Sequence, residues 1–561
     1  MTLQPHREIL HLWRTVARFS FHDGAYVFGG PNHSNSLDDA RQLLCILWPA
    51  TQQPRYRLDV PDRTEDEMLP PLELIGDRHS APLRLARAQT AYMMRYRDAS
   101  GAPTFESGDE ATAGHDCVES FAIGLRLSLA AVGFAQVFRS EIADGAALAE
   151  VNQLQKLASA RLTAAMIGLL RSFAVTAFDG DSPSGAALSR LIGQEHRDEQ
   201  AVLNEYRSEI AEVRARILED MTIGSVAPDG SDRMPYVACG WTWGVIAGTA
   251  QIETSETGVS QAGGAAASVP DPYFTWVAMD AIADLTSPRT RLLGLLTPEQ
   301  SRIAQSLQLR LELARFYWSN LATFGDHRWP IERLPWAADQ SDYTSVVIAA
   351  ITVADLATRY GNTDLPYAYL LRVLARLAAR HAVVRPPPAD GAAAARPDDY
   401  QIELPFAGTD RSALHRGPDL IAVLFDTLVT AAATTSNDKL RIEYTELAAL
   451  SWDHIGPGAA GTPAWRNAYR LVCGLVTADR VTNGETGRSG PPLGFVHQLL
   501  ADADVAFEAL PEATDDPDRK DLAARLERAR RIVDQHPARA AALLYQVLGA
   551  LDERLQPPGP R

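Results

Sequence analysis

Three short stretches of the 561-residue chain gather side chains that could do chemistry. In "GHDCVESFA" (114–122), Asp116 is placed to cap a helix on which Cys117 is the first residue, with His115 beside it. A helix start lowers a thiol pKa, so Cys117, His115 and Asp116 are catalytic candidates. The plainer reading, which the sequence favours, is a buried cysteine at a helix start. In "FGDHRWPIERLPWAADQSDYTS" (324–345), Trp329, Trp336 and Tyr343 lie among Asp326, His327, Glu332, Asp339 and Asp342. Rigid aromatics near paired carboxylates suit ring binding, with the acids for proton transfer. Asp339 and Asp342 are therefore catalytic candidates, and Trp336 and Tyr343 binding candidates. Asp342 is equally a good helix cap.

The third stretch, "HDGAYVFGGPNHSNS" (22–36), has two glycines before a polar turn and looks like a phosphate cradle. It fits neither G-x-x-x-x-G-K-[ST] nor G-x-G-x-x-G, because Pro31 follows Gly30 and no lysine comes after. Ser36 followed by Asp39 is close to a capping box, which predicts a helix start there. The loop still carries more polar variety than a cap requires. Tyr26 and Asn35 are binding candidates at a pocket mouth, joined by Asp271 and Tyr273 of "DPYFT" (271–275).

Other chemistry is poorly supported. Cys45, Cys117, Cys239 and Cys473 include no C-x-x-C pair, "IGQEHRDEQ" (192–200) is not H-E-x-x-H, and no D-D-x-x-D or D-x-D-D run occurs. No metal site and no cofactor are expected. "GHDCVESFA" resembles the nucleophile helix of papain-like cysteine proteases in its Ser120-Phe121-Ala122, but the preceding Gly-x-Cys and a His-plus-Asn partner segment are missing. "CGWTWG" (239–244) is similar to zinc-dependent lanthionine cyclases without their Cys-His ligand pair.

The elements that must hold these residues are helices. Apolar residues recur every three or four positions in "LQLRLELARFYWSNLATF" (307–324) and "AYLLRVLARLAARH" (368–381). Strand signals are confined to "YRLDV" (56–60) and "QIELPF" (401–406). Capped, small-residue-rich helices are expected to start near Ser36, Asp116, Ser184, Asp271, Asp342 and Pro418. More polar helices lie between them. An inner helix covered on all sides alternating with a half-solvated outer one is what a closed ring of hairpins needs. The expectation is an all-α helical-hairpin array of the (α/α)6-toroid type, with an irregular bundle as the alternative. It would occupy 1–510, with exposed loops at 255–270 and 383–399. A C-terminal helical extension with a disordered end would follow at 511–561.

Bulk properties narrow the function. The net charge of −17 argues against a nucleic-acid binder and against docking on anionic membranes. Few, scattered cysteines fit a reducing cytoplasm, and "MTLQPHREILHLWRTVARF" lacks a signal-peptide core. Charges interrupt the most apolar helices at Arg126, Asp355 and Asp426, which reads as burial in a protein core.

The blocks "LWRTVARFS…DGAYVFGG…SNSLDDARQLLCILWPA" and "RWPIERLPWAADQSDYTS" resemble an uncharacterised actinobacterial family encoded in small gene clusters with a methyltransferase-like and a P-loop-like protein. The resemblance implies cytoplasmic work alongside other cluster products, and no reaction. Two functions are open. One is an accessory protein holding a protein or peptide partner in a helical concavity, which the sequence slightly favours. The other is a toroid enzyme doing hydrolase- or lyase-like acid/base chemistry on a small or carbohydrate-like substrate. Either would use a rim where the inner-helix starts gather.

Overall fold

The computed structural model describes residues 3–30, 34–107, 114–193, 198–211, 236–256, 258–261, 263–325, 329–336, 341–359, 363–383, 402–405, 412–415, 417–459 and 464–483, and, toward the C-terminus, 500–501, 503–505, 507, 517–533, 540, 544, 547–548 and 551. The chain divides into two compact units, Met1–Gly484 and Glu485–Arg561.

In the first unit the helices are α1 (Pro5–Ser20), α2 (Ser36–Gln52), α3 (Leu69–Leu72), α4 (Ala81–Arg95), α5 (Val118–Phe138), α6 (Gly145–Arg171), α7 (Pro183–Ile192) and α8 (Glu199–Glu209). They continue with α9 (Pro272–Leu285), α10 (Pro288–Leu292), α11 (Pro298–Thr323), α12 (Asp342–Leu356), α13 (Asp364–Arg380), α14 (Leu420–Thr434), α15 (Asp438–Ala459) and α16 (Trp465–Thr482). The described residues are mostly helical, as the apolar period predicts. Three antiparallel strand pairs accompany them: β1 (Phe21–His22) with β2 (Ala25–Tyr26), β3 (Phe173–Phe178) with β4 (Tyr236–Trp241), and β5 (Ile402–Pro405) with β6 (Ser412–His415). The expected strand at 56–60 is absent; Tyr56 ends a short 3-10 turn.

Six helices pack in succession: α2 on α5, α5 on α9, α9 on α12, α12 on α14, α14 on α16, and α16 back on α2. In the chain they alternate with α1, α4, α6, α11, α13 and α15. The sequence explains the two roles. Almost every residue of α5 is buried, and it is apolar all round. By contrast α13 buries only one stripe, Tyr367, Leu370, Val373, Leu374 and Leu377. Close approach inside the succession depends on absent side chains. A Cβ on Gly474 of α16 would lie 2.7 Å from the Phe425 ring of α14.

Two expectations need correcting. The helix at 183–192 is only ten residues long and packs on α11 and α8, so it is not one of the six. The sixth is α16, whose Arg470 and Asp479 hid its burial. The stretch 255–270 is not simply an exposed loop either. Ala266 is fully buried and bridges to Ile246. The expected loop at 383–399 falls, from residue 384 on, outside the described residues.

The strand pair β3–β4 steers the entry into α9. Asp271 N donates to Trp241 O at 2.9 Å, and Trp241 N donates to Thr275 Oγ1 at 2.9 Å. Gly240 has φ +155°, and a methyl there would sit 2.4 Å from Thr275 Oγ1. Among the described residues, one helical stretch, Val118–Glu141 (α5 and the 3-10 turn after it), is long and apolar enough to cross a membrane, and it is mostly buried inside the protein. In the second unit, Leu522, Leu526, Ala529 and Val533, at helical spacing, share a core with Ala540, Leu544, Val547 and Leu551.

Candidate functional site

The N-terminal parts of the six successively packed helices meet. Arg41 of α2 is ion-paired to Glu119 of α5, and Glu119 also accepts from Tyr273 Oη of α9 at 2.7 Å. The Tyr273 ring lies 6.1 Å from that of Tyr343 on α12. Gly417, just before α14, is packed so closely that a Cβ would fall 2.9 Å from Tyr343 Oη. Asp419 N then donates to Asn467 Oδ1 of α16 at 2.7 Å, and Trp465 Nε1 donates to Gly29 O ahead of α2 at 3.0 Å. The chain of contacts passes through all six helix starts. It is packed shut: Arg41, Glu119, Tyr273 and Tyr343 are each less than 5% exposed.

The sequence candidates fall around this plug. Asn35 caps α2, accepting from Leu37 N at 3.1 Å and Asp38 N at 2.8 Å. Ser36, expected as the cap, is the first helical residue and donates to Glu106 O at 2.8 Å. Asp39 does not close a capping box. It accepts from Gly29 N at 2.6 Å, Ser34 Oγ at 2.7 Å and Tyr96 Oη, pinning the loop before α2. Burial holds its carboxyl above the usual range against those bonds. Tyr26 Oη donates to Asp39 O at 3.3 Å. Asn32 and His33 lie outside the described residues.

Asp116 accepts from Phe105 N at 2.7 Å, and burial pushes its carboxyl up. Cys117, not Asp116, holds the cap position of α5 and is fully buried. His115 is exposed, with its ring 6.3 Å from that of Trp243. Asp271 caps α9 as expected, through Tyr273 N at 2.8 Å and Phe274 N at 3.1 Å. Ser341 caps α12; Asp342 follows it and binds Arg380 Nε at 2.8 Å and His381 Nε2 at 3.1 Å. Trp336 is buried, with Nε1 on Leu191 O at 3.1 Å. Asp326, His327 and Asp339 lie outside the described residues.

A cavity of about 170 Å³ lies farther along the same helices, lined by Trp48, Gln52, Arg126, Asp280, Asp284, Asp426, Thr430, Arg470, Cys473, Val476, Thr477 and Arg480. Five of the six inner helices contribute to it. Arg126 bonds Asp284 through Nε and Tyr469 Oη through Nη1 at 3.0 Å, and its Nη2 donates to Asp280 O at 3.0 Å. Arg470 Nη1 holds Asp280 and Asp426 at 2.8 Å each. The guanidiniums are stacked on indoles, Arg126 at 4.7 Å from the Trp48 centroid and Arg470 at 4.2 Å from that of Trp276. Exposure separates the two kinds of charge. The side chains of Asp280, Asp284 and Asp426 are 33%, 24% and 14% exposed, those of Arg126 and Arg470 only 7% and 5%. The carboxylates therefore front the space and the arginines back it.

The three carboxyls differ in proton affinity. Burial raises Asp284 to about 6, only partly offset by Arg126. Burial also works against Asp280, but Arg126 and Arg470 together outweigh it and hold that carboxyl below the usual range. Asp426 is pushed up by burial despite Arg470. Among the described residues no group of three or more His, Cys, Asp or Glu is arranged to hold a metal.

With the geometry in place, the sequence can be compared with known proteins. It matches one family over residues 1–459 and again over 456–556. The chain belongs to the SCO2524-like family. That family is uncharacterised, so membership transfers no catalytic residue. No curated protein and no solved structure matches the chain.

Sequence reasoning did not single out the cavity residues as a site. The signal was present: Arg126 and Asp426 interrupt the most apolar helices, where an unpaired charge is costly. Such charges must find one another. Their partners sit 154 residues along the chain, from Arg126 to Asp280, and 44 residues along, from Asp426 to Arg470.

Proposed function

We propose that the protein is an acid/base enzyme acting on a small polar molecule in this central cavity, and that its twelve alternating helices make an (α/α)6-type toroid. The cyclic packing of α2, α5, α9, α12, α14 and α16 supports the toroid reading. One observation carries the functional reading. Asp280 and Asp284, one turn apart on α9 and both against Arg126, are shifted in opposite directions, with Asp284 at about 6. Paired carboxyls driven apart in proton affinity are how one site holds an ionised group beside a proton carrier. Asp284 would carry the proton; Asp280 would stay ionised.

The cavity volume limits the substrate. At about 170 Å³ it is smaller than the roughly 300–1,000 Å³ of drug-sized pockets. It is near the ~150 Å³ that accepts one benzene. A peptide or an oligosaccharide does not fit. The alternative, a module gripping a partner at the helix-start rim, has less support, because that rim is packed with buried side chains. Four buried free cysteines support a reducing, cytoplasmic setting.

Thr430→Trp tests the site by filling the cavity. Wild-type protein incubated with a small-metabolite extract should deplete a component, as read by mass spectrometry. The Thr430→Trp protein should not, and Asp284→Asn should bind that component without converting it. Equal depletion by wild type and Thr430→Trp, or none by either, overturns the proposal.

A further inference from the structure

We infer that the cavity recognises a small primary amine that also carries an oxygen acceptor, the ammonium sitting between Asp280 and Asp426. This rests on the reading of the cavity as a ligand site.

The charge count around Arg470 comes first. One guanidinium nitrogen is shared by two carboxylate oxygens at 2.8 Å each, so the oxygens are no farther apart than twice that distance. Asp284 is matched by Arg126. Asp280 and Asp426 thus share the Nη1 of Arg470, with Arg126 reaching Asp280 only at 3.5 Å, so the two carboxylates locally hold more negative charge than their nearest cation offsets. In a partly desolvated space such a charge is expensive, and a cation relieves it. Among the described residues, Arg126 is committed to Asp284, Asp280 and Tyr469, and Arg480, which also lines the cavity, has an interaction of its own.

The hydrogen-bond count comes second. Asp280 and Asp426 use only Oδ2, leaving both Oδ1 atoms without a donor among the described residues. An ammonium has three donors and no acceptor, which matches acceptors spread over two carboxylates. Arg470 Nε is buried without an acceptor, on a side chain that is itself 5% exposed and lines the cavity. A buried orphan donor calls for an acceptor, and a hydroxyl or carbonyl beside the amine supplies one. Both indole faces that might take a larger organic cation carry guanidiniums already. These features favour a compact ammonium over a quaternary or aromatic cation.

The test uses three probes of one size: 3-amino-1-propanol, 1,3-propanediol and 3-hydroxypropanoate. Calorimetric titration of the full chain should show saturable binding of the amino alcohol and none of the other two. Asp426→Asn should weaken that binding roughly ten- to a hundredfold, the worth of one charge-assisted hydrogen bond. Glu150→Gln, at a surface carboxylate paired with Arg87 and not part of the cavity lining, should leave it within about twofold. Circular dichroism of each variant checks that it is folded; if Asp426→Asn does not fold, Asp426→Glu, which moves the carboxylate by one methylene, replaces it. Equal binding of the diol or the hydroxy acid, or no binding of the amine, overturns the inference while leaving the cavity reading to the metabolite experiment. Amine binding that survives Thr430→Trp places the amine outside the cavity and overturns the inference.

Discussion

The hydroxyl of Tyr273 donates to a carboxylate oxygen of Glu119 at 2.7 Å, and both side chains are buried at the first turns of neighbouring helices. Burial and the nearby Glu119 charge hold the Tyr273 hydroxyl well above its ordinary pKa, so it stays a donor. This bond makes the rim a structural plug. Tyr273→Phe should therefore cost about 1.5–3 kcal/mol of stability by removing a bond to a charged acceptor. Glu119→Gln should cost more, about 3–5 kcal/mol, because it breaks the buried pair with Arg41. Urea unfolding of the two variants gives the comparison. Unchanged midpoints would overturn the structural role of this bond.

The helix-start assignment of α2 can be checked in the same way. Asn35→Ala removes a side chain that accepts from two backbone N–H groups and should cost about 1 kcal/mol. Ser36→Ala loses a single bond to Glu106 O and should cost less. The reverse order in denaturant midpoints would restore Ser36 as the cap.

Asp284 sets a pH dependence. Its folded-state pKa of about 6 lies above its ordinary 3.8, so the native state holds a proton that the unfolded chain has released. The stabilisation is full below about pH 4 and lost as pH rises through about 6. The shift would be worth about 3 kcal/mol; screening of the partly exposed carboxyl reduces that to about 2. The groups facing it are Arg126, Asp280, Tyr469 and Arg289. Asp284→Asn should flatten the stability profile between pH 4 and 6 relative to wild type. Identical profiles would place the proton elsewhere.

Arg470 is the cation on which two helices' carboxylates depend. Arg470→Leu leaves Asp280 and Asp426 facing one another without it and should cost about 3–5 kcal/mol at pH 7. The loss should shrink at low pH as the carboxyls protonate. Thermal melts of Arg470→Leu at pH 5 and pH 8 separate this from a simple packing defect, which would cost the same at both.

Some of this was legible in residues one after another. The three- and four-residue apolar period of α13 is a local pattern, so it could be read as a helix without any partner. Asp271 could be read as a cap because a cap bonds only residues two and three ahead. By the same logic Asn35 and Ser36 were confused: both are good caps, and which one takes the position depends on where the chain enters the helix. The strand pair β3–β4 was missed because "FAVTAF" and "YVACGW" are short apolar runs, which a buried helix segment resembles.

The cavity belongs to the tertiary structure alone. Sequence by itself determined that Arg126 and Asp426 were buried charges needing partners, because apolar helices surround them. It could not choose the partners. Asp280 and Asp284 lie on α9, Arg470 on α16, and only the return of α16 to α2 brings them to one space. The physical reason is range. Helix formation and capping are decided within one turn of chain, whereas an ion pair is decided by which helices pack, and packing is a property of the whole chain.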